Sequence, residues 1–221
     1  MIKKSTITEE IIRRLKKRFP NAKITLNFSN NWGLLVAVIL SAQCTDKKVN
    51  EVTEKLFKKY RRIEDYVKAS ASRRTIREFE RMIKPTGFYR AKAKNILASA
   101  KTIKEKFNGK IPRTMAGMLE LPGVARKTAN VVLGNAYGVT KGIAVDTHVR
   151  RISQRLGLSA SNNPEKIEQD LMVLVPKKDW FKFTYLLIDH GRAICSAKDP
   201  QCDLCPLSDI CPSAFNFPRF K

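Results

Sequence analysis

Lys127 lies just past a Pro122-Gly123 turn signal, in the run Leu121-Pro122-Gly123-Val124-Ala125-Arg126-Lys127-Thr128-Ala129-Asn130. Gly123 accepts a positive φ without steric cost. Ala129, Val132, Leu133 and Ala136 then recur at helical spacing, so the stretch reads as helix, tight hairpin, helix. Backbone N–H groups of Gly123, Val124 and Ala125, with Arg126 beside them, would open the second helix. Such donors have no partner inside the helix, and the helix dipole adds partial positive charge, which makes a seat for phosphate. An ammonium in that first turn meets an unfavourable potential, which favours the neutral amine, the form that acts as a nucleophile. Lys127 is thus a candidate for covalent chemistry on a nucleic-acid sugar; the simpler alternative is a lysine that pairs with phosphate or with solvent.

Two further groups stand out. Cys195, Cys202, Cys205 and Cys211 follow the spacing C-x6-C-x2-C-x5-C. A compact set of thiolates chelates well because the loops between them close at little entropic cost. In a chain without a secretory signal a metal is the better reading than disulfides. Zinc and an iron–sulfur cluster both accept four cysteines, and spacing alone does not choose between them. Asp146 follows an apolar triplet, Ile143-Ala144-Val145, and opens a helix. It reads as an N-cap carboxylate, which at a helix N-terminus stays ionised and can stabilise a developing cation.

These residues must be positioned by helices. Thr6-x-x-Glu9 reads as a capping box before a helix that buries Ile7, Ile11, Ile12, Leu15 and Phe19. Leu34 to Leu40 is apolar all round and reads as a central core helix. The polar stretch Ser41 to Asp46 follows, with Asp46 as the expected cap of the next helix. Shorter helical segments come around Ile63 to Lys68 and Arg73 to Ile83, then a Pro85-Thr86-Gly87 turn. Tyr89 to Phe107 is a long helix with Ala93, Ile96, Leu97, Ala100 and Ile103 on its apolar face. Thr114 caps a short helix before the hairpin, Asn163-Pro164 starts another, and Trp180 to Ile194 gives the last. No convincing pair of strands is present, so the expected class is all-α.

The formal net charge is +23 over 221 residues, spread along the chain. A folded protein this basic repels itself unless a polyanion relieves it, and nucleic acid is the first candidate; general basicity of a heat-adapted composition is the other. Trp32 to Ala42, the most apolar stretch, is too short to span a bilayer and too far along the chain for a signal peptide. The expectation is a soluble cytoplasmic or nucleoid-associated protein.

The hairpin run closely resembles the helix-hairpin-helix motif of DNA glycosylases, in particular the endonuclease III family. The segment Val145-Asp146-Thr147-His148 matches the family's catalytic aspartate segment, and the cysteine spacing is similar to its C-terminal 4Fe–4S loop. The resemblance covers nearly the whole chain. It implies a six-helix barrel over residues 24–140 and a second domain, residues 1–23 plus 141–221, that holds the cluster, with a cleft between them. Lys127 and Asp146 would be catalytic. Cys195, Cys202, Cys205 and Cys211 would hold a 4Fe–4S cluster that orders a basic loop, with Lys198 available for DNA contacts. Removing a base from a duplex requires extruding its nucleotide and filling the gap. Ser41-Ala42-Gln43 resembles the segment that inserts a glutamine, and Gly87-Phe88-Tyr89 matches the place where an apolar wedge enters; for Phe88 ordinary core packing is the alternative.

The activity implied is a bifunctional DNA glycosylase and AP lyase that acts as a monomer on double-stranded DNA with an oxidised pyrimidine or an abasic site. A monofunctional adenine or thymine mismatch glycosylase is disfavoured by Lys127. A non-enzymatic DNA-binding module and an iron–sulfur redox sensor are the other classes. One departure is notable: where the family's hairpin reads Gly-Val-Gly, this chain has Gly123-Val124-Ala125. Alanine dislikes positive φ, so Ala125 is expected in a helical or bridge conformation. Cys44 reads as a free, partly buried thiol. His148 and His190 read as structural hydrogen-bonding residues.

Overall fold

The computed structural model describes residues 4–220, and it contains eleven α-helices and no strand among them. The chain divides into two compact units: Thr25–Val139, continuous in sequence, and a second that joins the residues up to Ile24 to those from Thr140 onward. No helix among the described residues is long and apolar enough to cross a membrane.

The continuous unit is built around α2 (Asn31–Leu40). Its residues from Trp32 to Leu40 are all buried, as an all-apolar helix requires. It packs on α8 (Arg126–Tyr137), α3 (Asp46–Lys59) and α6 (Tyr89–Lys106), while α4 (Ile63–Ala69) and α5 (Arg73–Ile83) also pack on α6. Asn30 caps α2, its side-chain oxygen accepting from the Gly33 N–H at 2.8 Å. An aromatic cluster fills the space beside it: Tyr66 meets Trp32 edge-on, with ring centroids 4.9 Å apart, and touches Tyr60 and Phe79. Short α7 (Met115–Leu119), capped by the Thr114 hydroxyl through the Gly117 N–H, leads into the hairpin and packs on α8.

In the discontinuous unit, α1 (Lys4–Arg18) packs on α10 (Pro164–Leu174) and α11 (Trp180–Ala193), and α9 (Thr147–Arg155) also packs on both. Their shared core includes Ile11, Leu15, Val149, Ile152, Leu171, Phe183 and Leu187. Ion pairs tie the first helix to the far end of the chain: Arg14 reaches Asp209 and Lys16 reaches Asp179, each at 2.5 Å. Arg14 also donates to the Pro206 carbonyl at 2.9 Å, and its guanidinium holds the Asp209 carboxyl below the usual carboxylate range.

Three local expectations are corrected. The first helix begins by Lys4, so Thr6 lies inside its first turn and does not cap it. Thr45, not Asp46, caps α3: the Thr45 hydroxyl accepts from the Lys48 N–H at 3.3 Å. Asp46 is the first helical residue, where its charge suits the dipole, and its carboxylate accepts from the Thr25 hydroxyl. Phe88 is 66% exposed, which overturns core packing as its role.

The aromatic cluster sets the first testable outcome. Phe79 is fully buried, so Phe79→Ala should cost about 3–5 kcal/mol in denaturant unfolding. A loss below about 1 kcal/mol would show that the cluster is not the core of its unit.

Candidate active site and candidate metal centre

The hairpin turns at Gly123, whose φ of +77° only glycine adopts readily. A second constraint acts at the same atom. A Cβ on Gly123 would lie 2.5–2.7 Å from the Asn95 side chain of α6, so the hairpin seats against that helix only without a side chain there. The Ser99 hydroxyl, one turn further along α6, donates to the Pro122 carbonyl at 2.9 Å. Val124 is buried and its N–H bonds the Leu121 carbonyl at 3.1 Å, so the expected row of three outward donors is interrupted there. Gly123 and Ala125 are exposed. Ala125 is the N-cap of α8 with φ −91° and ψ 171°. It is extended rather than helical or bridging, and since φ is negative, alanine fits without strain. Arg126 and Lys127 are the first two residues of α8, and Lys127 is exposed to solvent.

Asp146 is the N-cap of α9. One carboxylate oxygen accepts from the N–H groups of His148 and Val149 at 2.9 and 2.8 Å, and the other lies 3.1 Å from His148 Nδ1. The side chain is 17% exposed. The carboxylate is therefore fixed in orientation, with its charge complemented by the helix N-terminus.

Gln43 and Phe88 share an uncommon feature. Both are exposed and both have a left-handed backbone, with φ of 52° and 46°. For side chains of this size that conformation costs about 1–3 kcal/mol and persists only where neighbours impose it. Gln43 sits in the turn that ends α2, and Phe88 is the N-cap of α6 after the left-handed Gly87. Lys92 of α6 connects the two turns. It is 4% exposed, and its Nζ donates to the Leu40 carbonyl at 2.8 Å and the Thr86 carbonyl at 2.7 Å. Sequence reasoning missed Lys92; the available signal was a lysine four residues before Ile96 on an otherwise apolar helix face.

The four cysteines Cys195, Cys202, Cys205 and Cys211 line one cavity, together with His190, Arg155 and Phe217. No three His, Cys, Asp or Glu side chains among the described residues are close enough to hold a single metal ion. Arg155 knits the loop: it donates to Cys195 Sγ at 3.1 Å and to the Ser196 and Ala197 carbonyls, and it stacks on Phe217. Arg151 holds the Cys195 carbonyl at 3.0 Å. Buried His190 places Nε2 3.7 Å from Cys205 Sγ, and its surroundings push its pKa down to about 4. Burial pushes the Cys205 thiol up to about 11. Lys198 is exposed on the same loop, and Cys44 is partly buried in the other unit.

A family model described as "HhH-GPD superfamily base excision DNA repair protein" matches residues 36–177. The endonuclease III of Synechocystis is 49% identical over 214 residues, which cover 97% of this chain and 95% of that protein. The endonuclease III of Bacillus subtilis is 46% identical over 204 residues, covering 92% and 90%. A solved structure described as a trapped endonuclease III–DNA covalent intermediate superposes with a TM-score of 0.90 at 41% identity, covering 100% of both chains.

The two constraints on Gly123 separate in a stability test. Gly138 also has positive φ, but a Cβ there would meet nothing within 4 Å. Gly138→Ala should cost about 1–2 kcal/mol from backbone strain alone. Gly123→Ala should cost more, because Asn95 must also move. Equal losses in thermal or denaturant unfolding would contradict the close seating on α6.

Proposed function

Because the chain belongs to the HhH-GPD superfamily of base excision DNA repair proteins, we propose that it is a bifunctional DNA glycosylase and AP lyase with Lys127 as its nucleophile. The observation that carries the reading is a match over the full chain to a protein trapped covalently on DNA, together with an exposed lysine in the first turn after the hairpin. Trapping on DNA needs a nucleophile that stays attached to the sugar.

The substrate class is duplex DNA with an oxidised, ring-saturated or fragmented pyrimidine, or with an abasic site. The hairpin backbone around Gly123 and Ala125, with Arg126, receives a phosphate, and the wider basic surface supplies counterion release. Gln43 and Phe88 enter the duplex where the damaged nucleotide leaves the stack, which suits two exposed side chains projected from left-handed turns. Lys198 adds a phosphate contact from the cysteine loop.

Neutral Lys127 Nζ attacks C1′ of the extruded nucleotide as the bond to the base breaks, and the base departs with the electron pair. Asp146 stabilises the positive charge that builds on the sugar, and the proton that the amine sheds passes to water. Its fixed orientation on the α9 cap means little reorganisation is needed at that moment. Opening of the sugar ring leaves a Schiff base on Lys127. The iminium draws electrons, a C2′ proton is lost, and the C3′–O bond breaks by β-elimination, which cuts the strand 3′ to the lesion. Water then releases the product and regenerates the amine.

Cys195, Cys202, Cys205 and Cys211 would hold a 4Fe–4S cluster. The donor set fits: four thiols line one cavity, with Arg155 beside them. When bound, such a cluster would supply iron–thiolate bonds to order the loop that carries Lys198; Arg155 and Arg151 brace the same loop from α9.

Three outcomes test this reading. Borohydride should trap the protein on an abasic duplex, and Lys127→Ala should abolish the adduct while stability stays within about 0.5 kcal/mol; an undiminished adduct in the variant rejects Lys127. Asp146→Asn keeps the cap, since Asn caps as well as Asp, but removes the charge. Its stability should hardly change while base release slows about 100-fold; an unchanged rate would leave Asp146 with a capping role alone. The purified protein should be brown with broad absorption near about 400 nm, and Cys202→Ser should lower its iron content; a colourless protein that holds zinc would contradict the cluster.

A further inference from the structure

Lys92 is the buried cation of the continuous unit that no step of the reaction uses. It sits in the first turn of α6, and its ammonium reaches two carbonyls from separate parts of the chain. The first belongs to Leu40, the last residue of α2, directly before the turn that carries Gln43. The second belongs to Thr86, directly before Gly87 and Phe88. A helix's last carbonyls lack intrahelical partners and sit at the negative end of its dipole, so a cation at Leu40 is well placed.

We propose that Lys92 is a positioning residue that ties the Gln43 turn to the Phe88 turn and so holds both side chains in the posture from which they enter the DNA duplex. This rests on the reading of Gln43 and Phe88 as the inserting pair. The two turns lie far apart in sequence, and both end in a strained, exposed residue. A strained backbone relaxes unless its neighbours over-determine it. One ammonium bonded to both turns supplies that constraint, and it does so from within the protein, without touching DNA. Two features fit a clamp rather than a filler. The lysine is 4% exposed, so its bonds are shielded from water. The Lys92 N–H itself bonds the Phe88 carbonyl at 3.1 Å, so backbone and side chain of one residue grip the same turn.

The test compares borohydride trapping on an abasic site in a duplex with trapping on the same site in a single strand, where no base stack has to be entered. Lys92→Met keeps the stem and removes both bonds. The duplex-to-single-strand ratio of trapping rates should fall about tenfold or more, and Lys92→Arg should restore most of it. An unchanged ratio, or equal loss on both substrates, would overturn the proposal, because a merely structural lysine lowers both alike. If Lys92→Met does not fold, Lys92→Gln, which can still serve one carbonyl, carries the same comparison with a smaller fall. A readout without chemistry stands beside it: 2-aminopurine opposite a tetrahydrofuran abasic analogue should brighten on binding wild-type protein and brighten much less with the Lys92 variant. An equal rise for both proteins overturns the clamp. Absence of any adduct from the wild type would reject the lyase reading while the fluorescence comparison still decides the clamp. An unchanged ratio in the Gln43→Ala/Phe88→Ala double variant would reject the inserting pair, and the clamp's proposed purpose with it.

Discussion

The close approach of the hairpin to α6 is the contact on which the continuous unit's working surface depends. It needs a residue without a side chain at Gly123, because the Asn95 side chain occupies the place of a Cβ. It also needs Ser99 to hold the Pro122 carbonyl. Lys92, Asn95 and Ser99 fall on one stripe of α6, at spacings that put them one above another. The upper part of that stripe fixes the Gln43 and Phe88 turns and the lower part seats the hairpin that starts α8. A single helix thus sets the relative places of the proposed phosphate seat, the nucleophile and both inserting side chains. Ala93, Ile96, Leu97, Ala100 and Ile103 are buried along and beside that stripe.

The discontinuous unit solves a different problem, that of holding charge still. Asp146 is oriented by two backbone N–H groups and by the His148 ring. A carboxylate so fixed can stabilise a cation without first reorganising. Around the cysteines, arginines do similar work: Arg151 and Arg155 satisfy carbonyls and one thiol in a loop with little regular structure of its own. Arg14 and Lys16 fasten the first helix to the far end of the chain. The net charge of +23 nevertheless leaves a large basic excess over the described ion pairs. That excess opposes folding by self-repulsion and favours a polyanionic partner.

Much of this was legible in the residues. The all-apolar run became the buried helix α2, and the Pro-Gly signal became a left-handed turn between two helices. Asp146 became a cap, as a short acidic side chain after an extended triplet should. What stayed hidden was non-local. A lysine on an apolar helix face carries no sign of the carbonyls it will meet, because Leu40 lies far from it in sequence. His190 and Arg155 near the cysteines were hidden for the same reason. Small errors were local competitions: Thr45 and Asp46 both cap well, and only one could. Ala125 was expected to be helical or bridging, yet the residue before a helix is usually extended, and its negative φ also removes the concern about replacing a glycine there.

The central claim is that one amine forms the covalent bond to DNA. Digestion of the borohydride-reduced adduct and mass spectrometry of the resulting peptides tests it most directly. The sugar remnant is expected on the peptide that contains Lys127, at that residue. A remnant on another lysine, or on the N-terminal amine, would contradict it.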